Sequence, residues 1–161
     1  RYLLASLVSH VVGHIERGAR VVDLYAGTGL FSATAAVARA AVVTAVEGDP
    51  SGAADLAANA AACGGSVRAV HQSVESFVAQ SRDVPGVVLV DPPRTGMTKE
   101  ALHGTIALAA PRVVYVSCDV ATLARDARTL VDHGYRISSA TAFDLFPNTP
   151  HVETVAVFDR G

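Results

Sequence analysis

Short Val-rich segments alternate with segments of helical periodicity five times along this chain, and this alternation restricts the fold more than any other feature. Each apolar segment has the length of a buried strand, and each following segment repeats its apolar residues at helical spacing. The predicted strands are residues 20–24, 42–46, 67–70, 86–90 and 112–117. Alternation of this kind predicts an α/β fold with a doubly wound, mostly parallel sheet and right-handed connections.

The same patterns place the helices and the last strands. An opening helix is expected to begin at Leu3 and end near Gly18, and Ser51 and Thr98 are candidate N-caps. The other predicted helices are residues 32–41, 51–63, 74–80, 98–110 and 120–133. Two further strands, 135–143 and 152–158, are separated by a Pro-rich loop at 146–150 and not by a helix. We therefore expect about seven strands, with the last one antiparallel.

Composition limits the class of protein. The chain has 161 residues, half of them hydrophobic, which suits one domain over residues 1–161 with a full core. No apolar run is long enough to span a membrane. The two cysteines and six histidines show no metal-ligand spacing, so we expect no metal and a reducing, cytoplasmic setting. The formal net charge of −2 gives no general signal for nucleic-acid binding.

Unusual residues follow four of the predicted strands. In open α/β sheets, ligands bind at the carboxyl ends of the strands, near the point where the strand order reverses. The turn Tyr25-Ala-Gly-Thr-Gly29 follows the first strand, and Glu47 follows the second. Asp91 follows the fourth strand and Cys118 follows the fifth. This convergence predicts a ligand site at the carboxyl edge of the sheet.

The turn containing Gly27 and Gly29 favours a nucleoside ligand. A Gly-x-Gly turn alone is a weak signal, because many α/β loops have one only to make the turn. Ser32 stands where a dinucleotide-binding loop would have its third Gly, which disfavours a pyrophosphate ligand. Glu47 ends the next strand, where a carboxylate can accept hydrogen bonds from both ribose hydroxyls. S-adenosylmethionine, a nucleoside without pyrophosphate, fits this pattern.

The remaining candidates offer reactive or charged groups. Cys118 lies where a strand ends and a helix begins, and the positive end of a helix dipole favours a thiolate. Two prolines after Asp91 form a rigid bend that can hold Asp91 and Arg94 in one pose. Glu153 enters an apolar strand, where an unpartnered carboxylate is costly. Each also has a plain structural interpretation. Cys118 could be a small buried residue, the two prolines could form a stiff loop that only ends a strand, and Glu153 could be an exposed carboxylate at the start of a strand.

Four motifs together resemble the S-adenosylmethionine-dependent RNA (uracil-C5)-methyltransferases, which form 5-methyluridine in ribosomal or transfer RNA. They occur in the family's order over nearly the whole chain. The motifs are Asp23-Leu-Tyr-Ala-Gly-Thr-Gly29, Asp91-Pro-Pro-Arg-Thr-Gly96, the segment 115–126 around Cys118, and Phe146-Pro-Asn-Thr-Pro-His-Val-Glu153. The resemblance implies the family's catalytic domain, with a Rossmann-like class I methyltransferase sheet.

The resemblance also implies roles for individual residues. Cys118 corresponds to the nucleophile that adds to C6 of uracil, and Glu153 to the general base that removes the C5 proton. Tyr25, Gly27, Gly29, Glu47 and Asp91 correspond to cofactor-binding positions. The expected cofactor is S-adenosyl-L-methionine, and the expected partner is ribosomal or transfer RNA. Relatives usually carry RNA-binding domains upstream. Because the chain begins at Arg1 and its only Met is Met97, we expect it to be a fragment that lacks them.

Other functions stay open at this stage. The family usually has Asn-Pro after the nucleophile, whereas this chain has Asp119-Val120, and a carboxylate there opposes thiolate formation. A methyltransferase acting on an exocyclic amine of a base would need no cysteine and would usually place an aromatic residue where Arg94 stands. A non-catalytic cofactor-binding or RNA-binding module is the alternative from a different class. The sequence does not indicate an oligomeric state.

Overall fold

The computed structural model describes residues 2–145 and 152–161, so the predicted loop 146–150 lies outside the described residues. Six helices and seven strands occur in the described part of the chain. The helices are α1 Tyr2–Gly13, α2 Leu30–Arg39, α3 Pro50–Ala61, α4 Val74–Gln80, α5 Lys99–Ala107 and α6 Val120–Asp132. The strands are β1 Arg20–Leu24, β2 Val42–Glu47, β3 Val67–His71, β4 Val87–Val90, β5 Arg112–Ser117, β6 Tyr135–Phe143 and β7 Glu153–Arg160. No helix within the described residues is long and apolar enough to cross a membrane.

The seven strands form one sheet in the order β3-β2-β1-β4-β5-β7-β6. The first five strands are parallel, and the order reverses between β1 and β4. At this switch point Leu24 is paired with both Val46 and Val90. The residues that follow these three positions, Tyr25, Glu47 and Asp91, are therefore brought to one edge of the sheet. The prediction of a doubly wound α/β sheet is confirmed.

Strand β7 lies between β5 and β6 and is antiparallel to both, as predicted for the last strand. Ser117 of β5 is paired with Thr154 of β7, and Phe143 of β6 is paired with Glu153. Because β7 runs antiparallel to β5, the start of β7 adjoins the carboxyl end of β5. Glu153 thus reaches the same edge as Cys118.

Both faces of the sheet are covered by apolar side chains. The four residues of β4, Val87 to Val90, are all buried, and successive residues point to opposite faces. Val88 and Val90 belong to one core cluster, whereas Val87 and Leu89 belong to the other. A strand buried on both faces needs a continuous apolar run, which explains its sequence. Truncating Leu89 to Ala would cost on the order of 2–5 kcal/mol.

Several predicted helix ends were wrong by two or more residues, among them those of α1 and α3. Helix α1 ends at Gly13 and not near Gly18. At this end the Arg39 side chain of α2 donates hydrogen bonds to the carbonyl oxygens of Val12 at 3.1 Å and Gly13 at 3.3 Å, which satisfies two carbonyls that the helix leaves unpaired. The N-cap of α3 is Asp49 and not Ser51. Its carboxylate accepts the backbone N–H of Ser51 at 2.9 Å, and Pro50 occupies the first turn, where it needs no backbone donor.

Candidate functional site

The glycine turn after β1 has an unusual backbone. Tyr25, Gly27 and Gly29 adopt positive φ angles of 61°, 55° and 86°. A Cβ atom at Gly27 would meet nothing within 4 Å, whereas one at Gly29 would lie 2.6 Å from Cδ1 of Leu56. Gly29 is favoured by its positive φ, and a Cβ there would also force the Leu56 side chain of α3 to shift. Gly27 is favoured by its left-handed conformation, which Tyr25 shares, and the space beside Gly27 is open to a ligand.

The Glu47 carboxylate holds this turn. Its Oε2 atom accepts the Gly27 backbone N–H at 2.7 Å, and Oε1 accepts the Asp49 backbone N–H at 2.7 Å. Glu47 is half-buried. Each carboxylate oxygen accepts one hydrogen bond here and has a further lone pair for a ligand hydroxyl. The two residues singled out by sequence, Gly27 and Glu47, are thus in direct contact.

Asp23 is a buried acid that the sequence did not single out as a site residue. It is 1% exposed; Oδ2 accepts the Ser32 hydroxyl at 2.5 Å, and Oδ1 has no partner among the described residues. Burial raises the pKa of Asp23 to about 7, and the charges of Asp91 and Glu47 add to the rise, while the Ser32 hydrogen bond opposes it. An acidic residue inside an otherwise apolar strand was the signal for this position.

The acids at the ends of β4 and β7 interact. Burial raises the pKa of Asp91 to about 7, and repulsion from Glu153 contributes to the rise. The Asp91 residue is nevertheless exposed to solvent, at the end of β4. The tyrosine of the glycine turn is enclosed, since burial raises the pKa of Tyr25.

Cys118 lies between β5 and α6, as predicted, and is partly exposed. The next residue, Asp119, is the N-cap of α6 and accepts the Thr122 backbone N–H at 2.8 Å. The Thr122 hydrogen bonds lower the pKa of Asp119. The residue that departs from the family's motif therefore caps the helix. Its charge also offsets the positive helix terminus beside Cys118.

A metal-binding group or another groove would also be a candidate site. Within the described residues, no group of three or more His, Cys, Asp or Glu could hold a metal ion. A groove of about 410 Å³ lies along β1, β2 and β3, and Arg20, Arg68 and Arg82 are among its lining residues. None of the predicted site residues lines it.

A second missed acid is Asp126 of α6, which is 1% exposed and accepts a hydrogen bond from the Tyr115 hydroxyl at 2.7 Å. It lies three residues after Leu123 and one before Ala127, within the apolar stripe of the helix. An acid in such a stripe signals a buried partner. Its contacts are long-range, so the sequence did not identify that partner.

Comparison with known proteins identifies the family. The family model of tRNA (uracil-5-)-methyltransferases matches residues 8–160. The chain belongs to this family. It is 43% identical over 160 residues to the 23S rRNA (uracil(1939)-C(5))-methyltransferase RlmD of Alkalilimnicola ehrlichii, covering 91% of this chain and 34% of that protein. It is 36% identical over 166 residues to an uncharacterized RNA methyltransferase of Thermotoga maritima, covering 97% and 37%.

A solved structure of this family has the same fold. The tRNA (uracil-54, C5)-methyltransferase of Pyrococcus abyssi, crystallised with S-adenosyl-L-homocysteine, superposes with a TM-score of 0.86 at 30% sequence identity. The match covers 98% of this uracil-5-methyltransferase family member and 38% of the archaeal chain. The chain thus spans about a third of the length of the relatives it matches.

Proposed function

We propose that this chain transfers a methyl group from S-adenosylmethionine to C5 of a uridine in RNA. The observation that carries the proposal is the β5–β7 pairing of Ser117 with Thr154, which brings Cys118 and Glu153 to the same strand ends. These are the two groups that the reaction needs, a nucleophile and a base. Family membership and the relatives that methylate uracil in 23S rRNA or tRNA support the same reaction.

The glycine turn and Glu47 fit the cofactor. The open space beside Gly27 lets a ligand approach the backbone closely, and the free lone pairs of Glu47 can accept the ribose hydroxyls. Tyr25 lies in the same turn and Asp91 follows the adjoining strand, so both lie at the edge of the sheet where the cofactor is proposed to bind. S-adenosylmethionine supplies an electrophilic methyl group when it is bound.

Cys118 begins the proposed chemistry. Uracil C5 is a poor nucleophile until a thiolate adds to C6, because the addition converts the ring to an enolate with negative charge at C5. In this proposal the Cys118 sulfur forms the bond to C6, and C5 then takes the methyl group. Asp91, with its pKa raised to about 7, is partly protonated near neutral pH and can donate a hydrogen bond to the uracil ring.

Glu153 completes the reaction. After methyl transfer, C5 carries both a methyl group and a hydrogen. Glu153 removes that hydrogen as a proton, the C5–C6 double bond forms again, and the Cys118–C6 bond breaks to release the thiolate. Because Glu153 adjoins Cys118 through the strand pairing, one residue pair can serve both the first and the last step.

RNA is the proposed partner, and the target uridine must leave any base stack to reach both Cys118 and the cofactor. The chain is proposed to be a single catalytic domain. Its net charge of −2 indicates that part of the phosphate binding comes from outside the chain. RNA-binding domains upstream would supply it.

A covalent trap tests the proposal. The chain is mixed with S-adenosylmethionine and RNA containing 5-fluorouridine, then run on a denaturing gel. Fluorine at C5 cannot leave as a cation, so the methylated adduct should persist as a shifted band. Cys118→Ala should abolish the band, whereas Cys63→Ala should retain it. Cys63 is the matched control, because it lies just after α3, where its thiol contacts the Asn59 carbonyl oxygen at 3.5 Å. A band that survives Cys118→Ala would refute the assigned nucleophile.

A further inference from the structure

Asp126 joins three segments through one buried carboxylate. Its Oδ2 atom accepts the Met97 backbone N–H at 2.9 Å and the Tyr115 hydroxyl at 2.7 Å. Its Oδ1 atom accepts Nε–H of Arg125 at 2.8 Å. Tyr115 belongs to β5, Asp126 belongs to α6, and Met97 directly follows the Asp91–Gly96 motif. The carboxylate therefore connects the strand and helix on either side of Cys118 to the segment that begins at Asp91.

Neighbouring side chains of α6 fasten the same segment. Arg125 donates to the carbonyl oxygens of Thr95 and Met97, each at 3.1 Å. The Thr122 hydroxyl donates to the Arg94 carbonyl oxygen at 3.1 Å. These bonds tie the carbonyl groups of Arg94 and Thr95 in the Asp91–Gly96 motif, and that of Met97 just after it, to the first turns of the helix that follows Cys118.

The fit at Gly96 leaves no room between the segment and the helix. Gly96 has a φ of +73°, and a Cβ atom there would lie 2.5 Å from a guanidinium nitrogen of Arg125 and 2.8 Å from Oδ2 of Asp126. The backbone thus rests directly on the Arg125–Asp126 pair. A glycine is required because this approach is so close.

We infer that Asp126 is a positioning residue that fixes the Asp91–Gly96 segment relative to Cys118 for the reaction. The inference rests on the proposed function. Asp91 and Cys118 are carried by separate strands, and the Asp126 network links the segments that follow them. The carboxylate acts through this network and does not touch the substrate. A displacement of about 1 Å between reacting groups can cost a factor of about 100 in rate.

Within this network, the negative charge of Asp126 is needed for the contact with Arg125 but not for the hydrogen bonds from Met97 and Tyr115. In Asp126→Asn, the amide oxygen could still accept from Met97 and Tyr115, but the amide N–H groups would face the Arg125 guanidinium, which has only donors. The variant therefore loosens Arg125, and with it the Thr95 and Met97 carbonyls, while the core contacts stay. Asp132→Asn is a matched control, because Asp132 is an exposed acid of the same helix, paired with Arg128 at 3.0 Å.

Two measurements test the inference on the 161-residue chain. Hydrogen–deuterium exchange should be faster at residues 94–97 in Asp126→Asn and unchanged in Asp132→Asn. In single-turnover experiments with saturating S-adenosylmethionine and RNA, Asp126→Asn should methylate about ten- to a hundredfold more slowly. Affinity for S-adenosylmethionine should change by less than about twofold, which separates positioning from general unfolding.

Each alternative has its own result. Unchanged exchange at residues 94–97, or an unchanged methylation rate, would overturn the inference. A rate loss matched by loss of cofactor affinity and of the thermal unfolding midpoint would show a purely structural role and would also overturn it. The variant Thr122→Val, which removes the hydrogen bond to Arg94, should combine non-additively with Asp126→Asn. If the unmodified chain gives neither methylation nor adduct at RNA concentrations shown to saturate binding, the proposed function fails, and the exchange data still show whether Asp126 holds the segment.

Discussion

Ser117 of β5 is paired with Thr154 of β7, so Cys118 and Glu153 occupy adjoining positions at the same end of two neighbouring strands. Cys118 and Glu153 are 35 positions apart in the sequence. The sheet, and not a local motif, brings them together. Because Cys118 and Glu153 are proposed to act at different steps of the reaction, substituting each residue should block a different step.

Glu153→Gln should stop the reaction after methyl transfer. If Glu153 removes the C5 proton, the glutamine variant should accumulate a methylated covalent adduct with ordinary RNA, without fluorine, and turnover should fall by about 10²–10⁴-fold. A denaturing gel and mass spectrometry of the adduct measure this. Glu100→Gln, a change in the first turn of α5, should form no lasting adduct. Full turnover in Glu153→Gln would show that another group is the base.

The ionisation of Asp91 should respond to the charge of Glu153. Burial is the larger cause of its raised pKa, and Glu153 is the only charged residue that contributes a resolved interaction among the described residues. Removing that charge in Glu153→Gln should lower the pKa of Asp91 from about 7, without restoring the ordinary value of about 4. Carboxyl ¹³C NMR titration measures the shift. Glu100→Gln should leave the titration unchanged, and an equal shift in both variants would contradict the assignment.

The buried Asp23 should make the folded state less stable at higher pH. Its pKa is raised to about 7, so the folded state binds the proton more tightly than the unfolded state does. The favourable contribution is complete below the unfolded pKa of about 4 and is lost as pH rises to about 7. The loss is roughly 4 kcal/mol in unfolding free energy. Urea unfolding at several pH values should show this slope in the unmodified chain and a smaller slope in Asp23→Asn. Equal slopes would refute the prediction.

The Asp119 carboxylate should have two separable effects. Asn caps a helix about as well as Asp, so Asp119→Asn should keep the thermal unfolding midpoint, whereas Asp119→Ala should lower it. Both variants remove the negative charge beside Cys118 and should speed alkylation of Cys118 by iodoacetamide several-fold at pH 7.5. The assay uses a Cys63→Ser background so that only one thiol reacts. An unchanged rate in both variants would show that this carboxylate does not restrain the thiol.

Periodicity alone was sufficient for the elements whose boundaries are set by local sequence. The bounds of β1, β5, β6 and α4 match the predictions, since each is an apolar or amphipathic run that ends at a polar residue or a turn. Helix α2 instead begins at Leu30, two residues before the predicted start at Ser32, because Gly29 ends the turn with a φ of 86° and caps the helix without a side chain. A cap without a side-chain hydrogen bond is difficult to predict from sequence.

The candidate site also has a part that the local sequence predicts and a part that depends on tertiary contacts. The placement of Glu47, Asp91 and Cys118 at the carboxyl edge of the sheet could be predicted, because each lies at the end of a recognisable strand. Their roles in binding and catalysis stay predictions. The partners that hold these residues could not be predicted. The bond from Gly27 to Glu47 depends on the backbone of a turn, and the role of Asp126 depends on contacts with Met97 and Tyr115 that only the packed structure defines.

The position of β7 between β5 and β6 also has a consequence for how the molecule assembles. Among the described strands β6 contacts only β7, so these two can form a hairpin before either is attached to the rest of the sheet. In the proposed reaction Glu153 can meet Cys118 only when β7 has paired with β5. Pairing between strands far apart in sequence forms slowly, so we expect completion of the sheet at β7 to be the step that makes the chain competent for the proposed chemistry.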